Sequence, residues 1–222
     1  MNYRCISSTD TVAKYLAKTL QAHLAAGEDV LWLVSGGSAI ATAVAVADTL
    51  KHSDLSKLSV SLVDERYGPI GHDAENWRQL LEAGFDLPTA RLYRPLTGQG
   101  RAETTMAFNL WLAEHISGAD YSIGLFGVGT DGHTAGIKPG TSSVNASERA
   151  VDFDGEDFER ITMTPRAIKQ LNEAVLLAMG PEKSATINQL LHQDLPLTVQ
   201  PAQVLKMVKK STLFTDYKEN SL

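Results

Sequence analysis

Apolar residues first recur at helical spacing, with Val12, Leu16, Leu20 and Leu24 on one face and Ala13 and Ala17 beside them. Thr9 or Asp10 can cap this helix and Gly27 supplies a stop. The pattern then changes to a continuous run, Val30-Leu31-Trp32-Leu33-Val34, as expected of a strand covered on both faces. Ser35-Gly36-Gly37-Ser38 breaks the run, and Ala39 to Leu50 reads as a helix. Leu58 to Val63 is a second strand, ending in Asp64-Glu65-Arg66. Helical patterns follow at Asp73 to Ala83 and Ala102 to Ile116, separated by a Pro- and Gly-bearing connection from Leu87 to Gly100. Tyr121 to Phe126 is another buried strand, followed by the glycine loop Gly127 to Ala135. Short strand-like pieces surround Ala150 and Ile161, and Thr164-Pro165 opens a short helix. Ala174 to Met179 reads as a buried strand, Gly180-Pro181 opens a helix towards His192, and a last strand lies near Leu213. Strands alternating with helices predict an α/β fold with a mostly parallel sheet and helices on both faces. No repeat or long linker interrupts it, so residues 1–222 are expected to form a single domain.

Composition narrows the function classes. With 222 residues, 43% of them apolar and 21% charged, the chain can bury a sizeable core. A net charge of −6 and the lack of a Lys/Arg block argue against a nucleic-acid partner. A small anion remains compatible, because a few local cations can bind it against an acidic background. Cys5 is the only cysteine, so no disulfide framework or thiolate metal cage is expected. The N-terminus lacks the apolar core of a signal peptide, and the small-apolar stretch Ala39 to Ala47 is too short to span a bilayer. These features predict a soluble cytoplasmic protein with no membrane partner, as a monomer or small homo-oligomer.

The chemistry gathers at four strand ends. Ser35, Gly36, Gly37 and Ser38 stand where a strand meets a helix N-terminus, a place suited to a phosphate although an ordinary βα turn fits equally well. Asp64-Glu65-Arg66 offers a guanidinium fork, with a surface salt-bridge cluster as its plain alternative. Lys183, in the first turn of a late helix, opposes the helix dipole and so fits an anion nearby, or simply reaches solvent.

The glycine loop is the fourth. Gly127, Gly129 and Gly132 match the dinucleotide fingerprint G-x-G-x-x-G, and Asp152 or Asp154 could serve as its acidic residue. That reading needs a helix out of the loop, and Pro139-Gly140 breaks the chain there. His133 has a physical use instead, since an imidazole of pKa about 6.5 can take a proton from water and return it near neutral pH. Asp131 could orient the imidazole or bind substrate. His23, His52, His72, His115 and His192 read as packed or surface residues, and no zinc-ligand spacing occurs. Neither a Gly-x-Ser-x-Gly elbow nor a Walker-type loop is present, and the carboxylates from Asp152 to Glu159 read as a solvated acidic loop.

Taken together, Ser35-Gly36-Gly37-Ser38, Asp64-Glu65-Arg66-Tyr67 with Asn76, Asp131-Gly132-His133-Thr134-Ala135 with Pro139-Gly140, and Lys183 resemble the 6-phosphogluconolactonases of the glucosamine-6-phosphate isomerase-like superfamily. The order and spacing extend across nearly the whole chain. The resemblance implies a Rossmann-like sheet with a small additional α/β element, no metal or organic cofactor, and a phosphorylated sugar lactone as substrate. It implies hydrolysis of 6-phospho-D-glucono-1,5-lactone to 6-phospho-D-gluconate in the oxidative pentose phosphate pathway. His133 would be the general base, Asp131 and Asp64 would support the catalytic centre, and Ser35, Gly36, Gly37, Ser38, Arg66 and Lys183 would hold the phosphate.

The chain departs from the usual pattern at Ala39-Ile40, where Thr-Pro is common, and at Gly136-Ile137-Lys138, where Ser-Leu-Phe is usual. Lys138 puts a charge where an apolar wall is expected. Trp77 follows Asn76 where Tyr or Phe is commoner. The closest rival reading is a glucosamine 6-phosphate isomerase/deaminase, which typically continues Ile-Ala-Phe-Asn-Glu after the histidine and carries Asp-Glu-Tyr earlier. Thr134-Ala135-Gly136 and Arg66 favour the lactonase. A non-catalytic sugar-phosphate sensor and a dehydrogenase rank lower, the first for want of a DNA-binding module and the second for its missing helix.

Overall fold

A computed structural model describes residues 1–155 and 157–218. In chain order the first half comprises β1 (Asn2–Cys5), α1 (Asp10–Ala25), β2 (Val30–Val34), α2 (Ile40–Leu50), β3 (Leu58–Leu62), β4 (Asp64–Arg66), α3 (Asn76–Glu82), β5 (Arg91–Leu92) and α4 (Arg101–Gly118). The second half comprises β6 (Tyr121–Gly127), β7 (Ala150–Asp154), β8 (Glu159–Met163), α5 (Pro165–Ile168), β9 (Glu173–Ala178), α6 (Ser184–His192) and β10 (Lys210–Thr215). Seven strands form one sheet in the order β1-β10-β9-β6-β2-β3-β5, with every pair parallel. The other three form a small antiparallel sheet, β4-β8-β7.

The unbroken apolar runs follow from this layering. Successive side chains of a strand point to opposite faces. In β2, Val30, Trp32 and Val34 enter the core shared with α1, α2 and α3, while Leu31 and Leu33 enter the core shared with α4, α5 and α6. Strand β9 divides the same way, with Val175 and Leu177 on the first face and Ala174, Leu176 and Ala178 on the second. Each run therefore needs apolar residues at every position.

Two expectations change in detail. Asp64-Glu65-Arg66 is not the tail of β3 but a strand of the second sheet, paired antiparallel with β8. Val63 is the crossing point: its N–H donates to the Val34 carbonyl of the large sheet, and its own carbonyl accepts from Met163 N–H of the small one. Of the acidic residues between Asp152 and Glu159, Asp152 and Asp154 lie on β7 and Glu159 on β8, which pair antiparallel, and all three converge on the Arg101 guanidinium instead of standing in a solvated loop; Glu156 lies outside the described residues. The sequence reading also missed β1 and β5. Both are short edge strands, and the mostly exposed side chains of β1 and the exposed ones of β5 carry no hydrophobic pattern. None of the described helices is long and apolar enough to cross a membrane.

Strand order fixes where a ligand can bind. From β2 the chain steps outward through β3 to β5, then returns to place β6 on the other side of β2. The loops leaving β2 and β6 therefore diverge at their carboxyl ends and open a crevice, the usual ligand position in open α/β sheets.

Candidate active site

A cleft of about 390 Å³ occupies that crevice. It is bounded by the turn after β2, the loop after β6, strands β4 and β8 of the small sheet, and the start of α6. Of the residues expected from sequence, Ser35, Gly36, Gly37, Ser38, Asp64, Arg66, His133 and Lys183 line it. Asp131 stands behind His133 and contacts it directly.

The loop after β6 is built to present the imidazole. Thr134 Oγ1 donates to the Gly127 carbonyl at 2.9 Å, and Gly129 N–H donates to the His133 carbonyl at 3.0 Å, closing the loop back on its own strand. Asp131 Oδ1 accepts from His133 N–H at 3.0 Å and lies 2.6 Å from His133 Nδ1. A proton on Nδ1 satisfies that contact and leaves the Nε2 lone pair available. Burial pushes the Asp131 pKa up, but the His133 backbone N–H and ring together bring it below its ordinary value. Asp131 is thus an anion that fixes one tautomer of His133. Ala135, with a φ of 49°, sits in the left-handed region that residues with a Cβ seldom occupy. This turn, not a helix, follows the histidine, as Pro139-Gly140 predicts.

Strand β4 sends alternate side chains to opposite sides. Asp64 and Arg66 face the cleft, while Glu65 is wholly buried against the start of α3. There its carboxyl oxygens accept from the backbone N–H of Asn76 at 2.6 Å, of Trp77 at 3.0 Å and of Arg66 at 2.8 Å. Glu65 therefore supplies the cap that Glu75, at the N-cap position, does not. Anchored this way, Asn76 donates from Nδ2 to the Asp64 carbonyl at 3.1 Å and packs against Gly36, where a Cβ would come within 2.2 Å of Asn76 Oδ1.

Burial raises the Glu65 pKa to about 8, despite the three N–H donors. The folded state holds this proton up to about pH 8, whereas the unfolded chain releases it near 4.5. Stability should therefore fall as pH rises between those values, by at most about 1.4 kcal/mol per pH unit from this group. Glu65→Gln should flatten that slope, as read from urea midpoints at pH 5.5 and pH 8. A variant that keeps the wild-type slope would contradict the assignment.

Charge in the cleft is unbalanced. Arg66, Arg160 and Lys183 line it with Asp64 as the carboxylate on the wall. Burial is the dominant influence on Asp64 and raises its pKa, opposed by Arg160, then His133, then Arg66. Four buried polar atoms in the lining have no partner among the described residues: Ser35 Oγ, Asn76 Oδ1, Arg66 Nε and Arg160 Nε. Buried polar groups are normally hydrogen-bonded, so this concentration marks a surface shaped for a polar ligand. The cation-rich wall fits an anion, and the described residues contain no group of three or more His, Cys, Asp or Glu arranged to hold a metal ion.

Sequence reasoning missed Arg160. It lies in a short strand beside acidic residues, and only the pairing of β4 with β8 brings it opposite Arg66. Lys138, expected to alter the pocket wall, is not part of the lining; its Nζ lies 3.9 Å from Asp157 Oδ1.

The sequence pattern of the glucosamine-6-phosphate isomerases/6-phosphogluconolactonases matches residues 7–214. The chain belongs to that family. Among individual relatives, it is 28% identical over 191 residues to 6-phosphogluconolactonase of Mycobacterium leprae, covering 78% of this chain and 77% of the relative. It is 27% identical to the enzyme of the same name from Mycobacterium tuberculosis, over 85% of this chain and 83% of that one. The fold matches the crystal structure of Thermotoga maritima 6-phosphogluconolactonase with a TM-score of 0.83 at 20% identity, covering 96% of this chain and 98% of that one. A 6-phosphogluconolactonase from Shewanella baltica matches with a TM-score of 0.79 at 20% identity, over 97% of both chains. This chain is an enzyme of that family, and its cleft is its candidate active site.

Proposed function

We propose that the protein hydrolyses 6-phospho-D-glucono-1,5-lactone to 6-phospho-D-gluconate, the lactonase step of the oxidative pentose phosphate pathway. The observation that carries this reading is the Asp131–His133 pair, which faces a wall of three cations across one cleft. The relatives named as 6-phosphogluconolactonases support it.

The phosphate seats on the turn Gly36-Gly37-Ser38 at the start of α2, where the first N–H groups of a helix lack intrahelical partners. Arg66 and Lys183 neutralise it, and Ser35 Oγ lies free to donate. Held by that handle, the lactone ring lies towards His133. His133 Nε2 removes a proton from water as the water oxygen bonds to C1, and the carbonyl π pair moves onto the carbonyl oxygen. That pair returns as the bond from C1 to the ring oxygen breaks. The ring oxygen leaves with the bonding pair and takes the proton from His133. The new carboxylic acid then ionises to solvent. A δ-lactone is an activated ester, so one positioned base contributes a useful share, about 10²- to 10⁴-fold.

The handle is testable without removing the base. The enzyme should prefer the 6-phosphorylated lactone to glucono-1,5-lactone in kcat/KM, and Arg66→Ala should erase most of that preference. The loss should appear in KM, at about 10- to 100-fold for a charge-assisted contact. An Arg66→Ala effect confined to kcat, or equal rates on the two lactones, would contradict the phosphate role.

A further inference from the structure

A threonine inside a helix commonly returns its hydroxyl to a carbonyl of the preceding turn. Thr186, buried on α6, instead donates from Oγ1 to the Thr130 carbonyl at 2.6 Å, a contact between segments 56 residues apart. That carbonyl shares one rigid peptide plane with the Asp131 N–H, so holding the oxygen sets the direction in which Asp131 leaves the loop. On the other side of Asp131, the Gly132 carbonyl accepts from Ala202 N–H at 3.0 Å. The residue that fixes the His133 tautomer is thus braced on both sides from outside its own loop. The Ala202 brace is backbone and open to any non-proline residue; the Thr186 brace depends on one side-chain hydroxyl. Two buried glutamines hold Thr186 in turn. Gln200 Nε2 donates to the Thr186 carbonyl at 3.0 Å, and Gln200 Oε1 accepts from Gln203 Nε2 at 2.6 Å. Gln200 also packs on Gly132, where a Cβ would lie 2.7 Å from its Cγ. Lys183, three residues before Thr186, lines the cleft together with Thr130. Residues three apart share a helix face, so the same edge of α6 carries the cleft lysine and the brace.

We propose that Thr186 is a positioning residue: its hydroxyl holds the Thr130–Asp131 peptide so that the Asp131 carboxylate stays on His133 Nδ1 and Nε2 stays directed into the cleft. This assignment rests on the lactonase reading, in which His133 is the base. Thr186 is not part of the cleft lining, so it acts through Asp131 and not on the substrate. Losing a brace behind a reacting group misplaces that group, which lowers turnover more than affinity. With Lys183 on the same turn, a phosphate seated on Lys183 and the base are kept in register by one helix.

The test compares Thr186→Val, which keeps the shape and loses the hydroxyl, with Thr186→Ser, which keeps the hydroxyl and loses the methyl group. Thr186→Val should lower kcat on 6-phosphogluconolactone about tenfold, the scale of one hydrogen bond, with KM within about twofold of wild type. Thr186→Ser should recover most of that loss. In protein labelled with ¹⁵N-histidine, the His133 ring signals, identified by their absence in His133→Ala, should report a proton on Nδ1 in wild type. They should move towards a mixture of tautomers in Thr186→Val and return in Thr186→Ser. If Thr186→Val does not fold, Thr186→Ala set against Thr186→Ser isolates the hydroxyl by the same two readouts. Wild-type kcat in the variant without the hydroxyl, a loss confined to KM, or equal losses in the variants with and without it would each overturn the proposal. So would a lowered kcat with unchanged ring signals, which would make Thr186 a packing residue. Failure of the lactonase reading looks different: wild type would leave the lactone intact, while the ring signals would still report whether Thr186 positions His133.

Discussion

His133→Ala should lower kcat on 6-phosphogluconolactone by about 10²- to 10⁴-fold while gluconate 6-phosphate still binds with near wild-type affinity. The imidazole stands at the end of a loop closed by Gly129, Thr134 and Asp131, and the elements proposed to hold the phosphate sit on other strands. Removing the ring therefore takes away the base without disturbing the handle. Stopped-flow acid release and calorimetric binding on the same preparation separate the two effects. If the variant retains wild-type turnover, His133 is not the base. If it loses ligand binding to the same extent as turnover, the ring is a binding group.

Gly129→Ala should have the next largest effect, although residue 129 need not touch substrate. A Cβ there would lie 2.1 Å from His133 Nδ1, 2.2 Å from Cε1 and 2.7 Å from Asp131 Oδ1. One methyl group must therefore drive the imidazole away from its carboxylate. A displacement of about 1 Å at a reacting group can cost about 10²-fold in rate. Because the clash falls on side chains near the cleft, the fold should persist, with a far-UV spectrum and melting transition close to wild type. The loss should fall on kcat rather than on KM. Wild-type activity in Gly129→Ala would show that the His133–Asp131 contact is dispensable.

Much of this architecture is legible before any coordinates, for a physical reason. Buried parallel strands such as β2, β6 and β9 must be apolar on both faces, which makes runs like Val30 to Val34 conspicuous. Loops at the carboxyl ends of such strands border the sheet's crevice, so Ser35 to Ser38 and Gly127 to Ala135 read as parts of one site. Contacts that depend on pairing between distant segments were not legible. Arg160 sits in a short strand with no strong alternation, and its place in the cleft comes only from register with Arg66. Likewise, the capping of α3 by Glu65 from eleven residues upstream has no local signature. The His133–Asp131 contact is intermediate: spacing permits it, and the turn held by Gly129 makes it.

The most direct measurement is the initial rate of acid release when purified protein meets freshly generated 6-phosphogluconolactone, read against the uncatalysed background, with glucosamine 6-phosphate assayed in parallel. The structure and its relatives predict rapid lactone opening that saturates with substrate and no ammonia from the amino sugar. Ammonia release without lactone hydrolysis would contradict the account.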